Sequence, residues 1–224
     1  MNKFLLAATL FLCVNSTFAS ETAILKIRGT LTSSACTPEF SNGGVVDYGN
    51  IRLGELSSTA VNQLGQRNID LTITCTAATK VAWNLIDDRA DSNAGLTVST
   101  GTFTGGGGQS ATNQTYGVGK AGTVNIGSYA MFMNVNNVTA DGKSVDPIYQ
   151  QNGSTTWAKS NDGSSQGENN RNITVALSGS VDPLAFQTAT FPLVTSLAIQ
   201  NTTTLGITDD TRLDGQLTIS LKYL

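Results

Sequence analysis

Histidine is absent from all 224 residues, which removes the commonest general base at neutral pH and the commonest zinc ligand. Charge is scarce as well, with only 13% of residues Asp, Glu, Lys or Arg. Beyond one stretch at the start, no apolar run approaches the roughly 20 residues that a bilayer-spanning helix needs. Cysteine is limited to Cys13, Cys36 and Cys75, none of them in a Cys-x-x-Cys pair. That spacing, without a histidine to act as base, speaks against a redox or nucleophilic thiol. Paired carboxylates are no better placed, because Asp87 with Asp88 and Asp209 with Asp210 fall at expected strand ends. Adjacent residues on a strand point to opposite faces and make poor acid and base partners. No enzymatic activity, no metal and no cofactor are expected.

What is present begins with an export signal. Met1 to Ala19 has one early cation, Lys3, an apolar run from Phe4 to Val14, and small residues at Thr17 and Ala19, three and one positions before a cut. This reads as a signal peptide over residues 1–19, cleaved after Ala19 or one residue later after Ser20, and its run is too short for a membrane anchor. A single domain over residues 20–224 remains. Cys13 leaves with the signal, so the exported chain keeps Cys36 and Cys75. An even count in an oxidising compartment favours a disulfide, and closing a loop of this size removes roughly 4 kcal/mol of unfolded-state freedom in the chain-entropy model. Lys3 is the only charged residue before position 20, so the rest carries 12 basic against 16 acidic residues, a charge of −4. That balance speaks against nucleic acid as a partner.

The dominant pattern is apolar alternation with period two. Leu25, Ile27 and Leu31 alternate with Lys26, Arg28 and Thr30; Ile69, Leu71, Ile73 and Cys75 alternate with Asp70, Thr72 and Thr74. Val81, Trp83 and Leu85 follow the same rule, as do Ile173, Val175 and Leu177. Phe191, Leu193, Leu197 and Ile199 come later, with Pro192 assigning the start of that strand to an edge or a bulge. The chain ends on Leu217, Ile219, Leu221 and Tyr223, facing opposite to Thr218, Ser220 and Lys222. Short strands separated by Gly, Asn and Asp clusters predict an all-β antiparallel sandwich. Two stretches break the rhythm and read as long, polar, exposed and mobile loops: residues 87–127, with four glycines from Gly105 to Gly108, and residues 150–172, nearly all polar apart from Trp157.

Two motifs are formal matches without context. Gly117, Gly119 and Gly122 fit a dinucleotide fingerprint, but no strand-turn-helix surrounds them. Asp91-Ser-Asn93-Ala-Gly95 resembles the opening of a calcium loop, yet the closing glutamate expected at the twelfth position is Thr102, so an Asx-rich turn is the expectation.

In order along the chain come the signal peptide, Arg28-Gly-Thr-Leu-Thr-Ser-Ser-Ala-Cys36, Val46-Asp-Tyr-Gly-Asn-Ile51, Ile69-Asp-Leu-Thr-Ile-Thr-Cys75 and the terminal alternating strand with Tyr223. This set resembles a fimbrial subunit of the chaperone–usher class, and within it is similar to exported bacterial proteins labelled probable beta-fimbrial major subunits. The resemblance implies an immunoglobulin-like, pilin-like sandwich that lacks its last strand. A periplasmic chaperone would fill the groove first, and the N-terminal extension of a sister subunit would replace it at an outer-membrane usher. Carried onto this chain, Leu217, Ile219, Leu221 and Tyr223 would form the chaperone-read strand and one groove wall. Cys36 and Cys75 would pin the first strand to the second, and Leu25 and Ile27 with Gly29 would be the donor strand.

One departure stands out. Only about eight residues, or roughly 26 Å of extended chain, lie between the predicted cut and the start of the matching first strand near Arg28, which is short for a donor. A chain that fills its own groove or ends a fibre is therefore a further expectation. The alternative reading is a periplasmic or secreted sandwich that does not polymerise and binds carbohydrate or a surface ligand through Phe103, Tyr116, Tyr149 and Trp157. Mass spectrometry of the exported protein should give an N-terminus at Ser20 or Glu21; a full-length chain retained in the membrane fraction would contradict the export reading.

Overall fold

The computed structural model describes residues 25–30 and 34–224. The signal segment, its cleavage point and Leu31 lie outside them. The chain divides into two units, residues 1–33 and 34–224. In the first, residues 25–30 are irregular rather than the strand that the alternation of Leu25 and Ile27 predicts. Period two alone is insufficient, because an extended segment needs a neighbour for its N–H and C=O groups.

In the second unit the alternating segments become strands. These begin with β1 (Cys36–Phe40), β2 (Asn62–Thr79) and β3 (Val81–Asp87). A long excursion then carries β4 (Tyr116–Gly117), β5 (Lys120–Ala121) and β6 (Val124–Asn125) into β7 (Gly127–Met133). Next come β8 (Thr139–Ala140), β9 (Lys143–Ser144), β10 (Asp146–Gln151) and β11 (Ala158–Lys159). The last three are β12 (Arg171–Ala176), β13 (Phe186–Ile199) and β14 (Leu217–Tyr223). Among the described residues no helix is long and apolar enough to cross a membrane.

The strands form two main antiparallel sheets, and β5 and β6 pair as a small third. Of the main two, one runs β1-β2-β13-β7-β4, with β8 attached to β13 and β9 to β8; the other runs β11-β10-β12-β3-β14. Ile69, Leu71 and Ile73 of β2 and Phe191 and Leu193 of β13 face Val81, Trp83, Leu85, Ile173 and Val175 of the second sheet in one buried cluster. Trp83 meets Phe191 edge-on, with ring centroids 5.8 Å apart, an aromatic contact between the sheets. This is the all-β antiparallel sandwich that the sequence predicts.

Pro192 is placed differently from expectation. It lies inside β13, a central strand, opposite Asp70 of β2. On the other side of β13, β8 pairs with Ala189 and Thr190 and β7 begins at Leu193, so Pro192 falls where one neighbour gives way to the next. Its carbonyl accepts from Asn134 N–H at 2.8 Å on that side. A missing N–H is tolerated there because the carbonyl of Asn134, its partner across the strand, accepts from Asn137 N–H instead.

The two polar stretches are also not loose surface. In the first, Val98 is buried and packs with Leu96 and Phe103 against Ala130, Phe132 and Ala198 on the outer face of the first sheet. Glutamines of β2 strap it down: Gln63 Nε2 donates to the Thr97 carbonyl at 2.9 Å, and Gln66 Nε2 to that of Thr102 at 2.6 Å. In the second, Ser165 Oγ donates to the Met131 carbonyl at 2.6 Å and shares a 2.8 Å hydrogen bond with the buried Tyr116 hydroxyl. Arg171, only 9% exposed, donates to the Ser164 carbonyl at 2.9 Å and lies 4.0 Å over the Tyr149 ring. Polar residues are acceptable as wall material where, as with Ser165 and the Nη1 of Arg171, buried donors find acceptors.

Gly163 makes the second docking possible. Its φ is +68°, its carbonyl accepts from Met133 N–H at 2.7 Å, and an added Cβ would sit 1.9 Å from the Met133 carbonyl oxygen. Gly163→Ala should therefore lower stability by about 2 kcal/mol or more, measured as a reduced urea midpoint. Replacing Cys36 and Cys75 together by Ala opens a disulfide of sequence separation 39 and should cost about 4 kcal/mol; an unchanged midpoint would count against that loop-closure account.

Candidate functional site

The terminal strand β14 is long for a chain end, and local contacts explain why it holds. Before it, Asp88 N–H donates to the Gln216 carbonyl at 3.0 Å, while the Asp88 carboxylate accepts from Gln216 Nε2 at 3.0 Å and Thr218 Oγ1 at 2.7 Å. After it, Leu224 N–H donates to the Lys80 carbonyl at 3.1 Å. Between these clamps β14 pairs with β3 in continuous register, from Leu217 opposite Asp87 to Tyr223 opposite Val81. No strand among the described residues pairs with its other edge.

Leu217, Ile219 and Leu221 pack on the core but stay half-buried, whereas Val81, Trp83 and Leu85 of β3 beside them are fully buried. Among the described residues the core thus runs out to this edge without a cap. Thr218, Ser220 and Lys222 are exposed on the opposite face, as the alternation predicts. Tyr223 differs from its three companions. It is 52% exposed, and its hydroxyl accepts the Cys36 N–H at 2.9 Å.

Cys36 opens β1, which among the described residues pairs with β2 alone and forms the edge of the first sheet. It stands opposite Cys75 and is bonded to it, so the disulfide pins the first strand to the second. Cys36, Phe40 and Val46 are half-buried against the same core cluster as Leu217, Ile219 and Leu221. The structure therefore brings Cys36, Cys75, Leu217, Ile219, Leu221 and Tyr223 into one region where the edges of the two sheets meet. Leu25, Ile27 and Gly29 lie in the other unit on irregular backbone, with Leu25 88% and Ile27 91% exposed.

The four aromatics considered for a sugar platform are dispersed. Tyr116 is in the core, its ring centroid 5.3 Å from that of Tyr129. Tyr149 lies beneath Arg171, Phe103 packs with Val98 outside the first sheet, and Trp157 is half-buried. The glycines at 117, 119 and 122 fall on and beside β4 and β5, with no helix following. Asn93 Oδ1 accepts from Gly95 N–H at 2.9 Å, and the Asp91 carboxylate accepts from Lys120 Nζ at 2.9 Å, which makes that stretch an Asx turn held by an ion pair.

Asp88 and the Tyr223 hydroxyl are the positions that sequence reasoning missed. An aspartate directly after an alternating strand is the only trace of the first. Its neighbour Asp87 turns the other way and accepts from Arg89 N–H and Gly117 N–H, both at 2.9 Å. Burial pushes the Asp87 carboxyl above its usual 3.8, outweighing those two hydrogen bonds, with Asp88 and Asp91 adding to the rise.

A disulfide-stapled β-sandwich whose last strand closes the chain at an uncovered edge is the class of protein that this fold defines. The chain belongs to the family described as protein of unknown function DUF1120, whose model matches residues 25–130. It is 33% identical to uncharacterized protein YhcF of Escherichia coli strain K12, over 99% of this chain and 98% of that one. It is 32% identical to protein GltF of the same organism, over 89% of this chain and 87% of the relative.

The Asp87 shift sets the sign of a pH effect. With the folded-state pKa above the unfolded 3.8, this group's contribution is complete below that value and is lost as pH rises through the folded pKa. The stability of the wild type relative to Asp87→Asn should therefore improve as pH falls from 7 towards 4, read from urea unfolding at each pH. A relative loss over that window would contradict the burial argument.

Proposed function

We propose that this chain is an exported structural subunit of fimbrial type, which joins other proteins non-covalently by accepting an extended segment beside β14. The observation that carries this reading is the edge of β14 that no strand among the described residues pairs with, with Leu217, Ile219 and Leu221 half-buried beside it. An added strand would complete the backbone ladder at that edge. Alternate apolar side chains of the guest would cover the three residues, at about 25 cal/mol per Å² of apolar area removed from water.

On this reading a periplasmic chaperone supplies the first guest strand, an outer-membrane usher oversees its replacement, and a sister subunit supplies the second through Leu25, Ile27 and Gly29. The disulfide suits folding in an oxidising compartment. The protein acts by assembly and catalyses no reaction. The burial of Tyr116 in the core and the packing of Phe103 in a different cluster weigh against the ligand-binding alternative.

The exported chain, co-produced with its chaperone and usher and run on denaturing gels without heating, should give a ladder that collapses to monomer on boiling. Ile219→Asp with Leu221→Asp should abolish the ladder while the circular dichroism of the chain remains that of a β protein. A wild-type chain that stays monomeric and captures no strand-donating partner would overturn the proposal.

A further inference from the structure

Cys36 and Cys75 are opposed with Cα atoms 4.0 Å apart, and the hydrogen bond beside them runs from Thr76 N–H to the Ala35 carbonyl. In an antiparallel ladder, residues of such a close pair direct their N–H and C=O groups away from each other's strand. The Cys36 N–H is therefore a donor on the free edge of β1. An incoming strand that pairs with β1 needs that group. In this structure it is already taken, by the hydroxyl of Tyr223 at 2.9 Å.

We propose that Tyr223 is an internal gatekeeper: its hydroxyl occupies the edge donor of Cys36 and must swing away before a guest strand can pair along β1. The bond joins the last strand of one sheet to the disulfide-anchored first strand of the other, 187 residues apart in sequence. It braces the two edges at the Tyr223 end, while at the Leu217 end no strand among the described residues pairs with the edge of β14 that faces away from β3. The 52% exposure of Tyr223 leaves its ring room to turn outward. Edge donors left bare invite unwanted pairing, so one phenol both protects the free subunit and sets the rate of strand entry.

This inference rests on the strand-acceptance reading, and one experiment separates the two. The exported chain and its Tyr223→Phe variant, which keeps the ring and loses only the hydroxyl, are compared in two measurements. The first is hydrogen exchange at the Cys36 amide, expected to rise by up to about tenfold in the variant. The second is the association rate of a labelled peptide with the sequence of residues 21–31, expected to be several-fold faster in the variant. Lys222→Ala, an exposed neighbour on the same strand, should change neither. Unchanged protection of the Cys36 amide, or uptake of peptide at equal rates by both proteins, overturns the gatekeeper role alone. Absence of uptake by either protein overturns strand acceptance and the gatekeeper with it.

Discussion

A β-sheet that does not close on itself must end in edges, and an edge strand points half of its N–H and C=O groups at nothing in the sheet. In this sandwich β1 ends one sheet and β14 ends the other, beside the same half-covered core. The rest of the arrangement answers to that condition. The disulfide fixes β1 to β2, Asp88 and Lys80 hold the two ends of β14, and the Tyr223 hydroxyl satisfies one exposed donor across the gap. Each device keeps the edges in place without adding the strand that would bury them.

The polar segments solve a different problem. A sheet whose outer face carries Ala130, Phe132 and Ala198 would expose apolar surface, and the glycine-rich stretch with Val98 and Phe103 covers it. The Ser-rich stretch after β10 does the same at the end of the sandwich through Ser164, Ser165 and the buried Arg171. Few charges are needed for such cover, since hydroxyls and amides can pair with backbone groups at little desolvation cost. The family match over residues 25–130 takes in β1 to β3 and the first of these covers. The alignment to YhcF runs nearly end to end, so the edge strand belongs to the shared length as well.

Much of the strand pattern was legible because burial of one face writes period two into the chain. Ile69 to Cys75, Val81 to Leu85 and Leu217 to Leu221 each stand on the face that their spacing implies. The exceptions have physical causes. Leu25 and Ile27 alternate equally well, yet their backbone is irregular because pairing depends on a neighbour that alternation does not specify. The missing N–H of Pro192 predicts an edge or a bulge, whereas its place at the handover from β8 to β7 is visible only once the neighbours of β13 are known. Composition marks the two long segments as polar, but polarity does not distinguish an exposed loop from one whose polar groups pair with backbone in a wall.

By itself the sequence determined that this is an all-β protein with a cysteine pair and an apolar-faced final strand, because such properties depend on residue type and short spacing. Only the tertiary structure decided that Asp88 clamps that strand, that polar loops serve as walls, and that Tyr223, half-exposed at the end of its apolar face, reaches Cys36. Those contacts join residues more than a hundred positions apart, or depend on which neighbour a strand receives. No local pattern records them, since the distance between such groups is set by the packing of two sheets rather than by either segment.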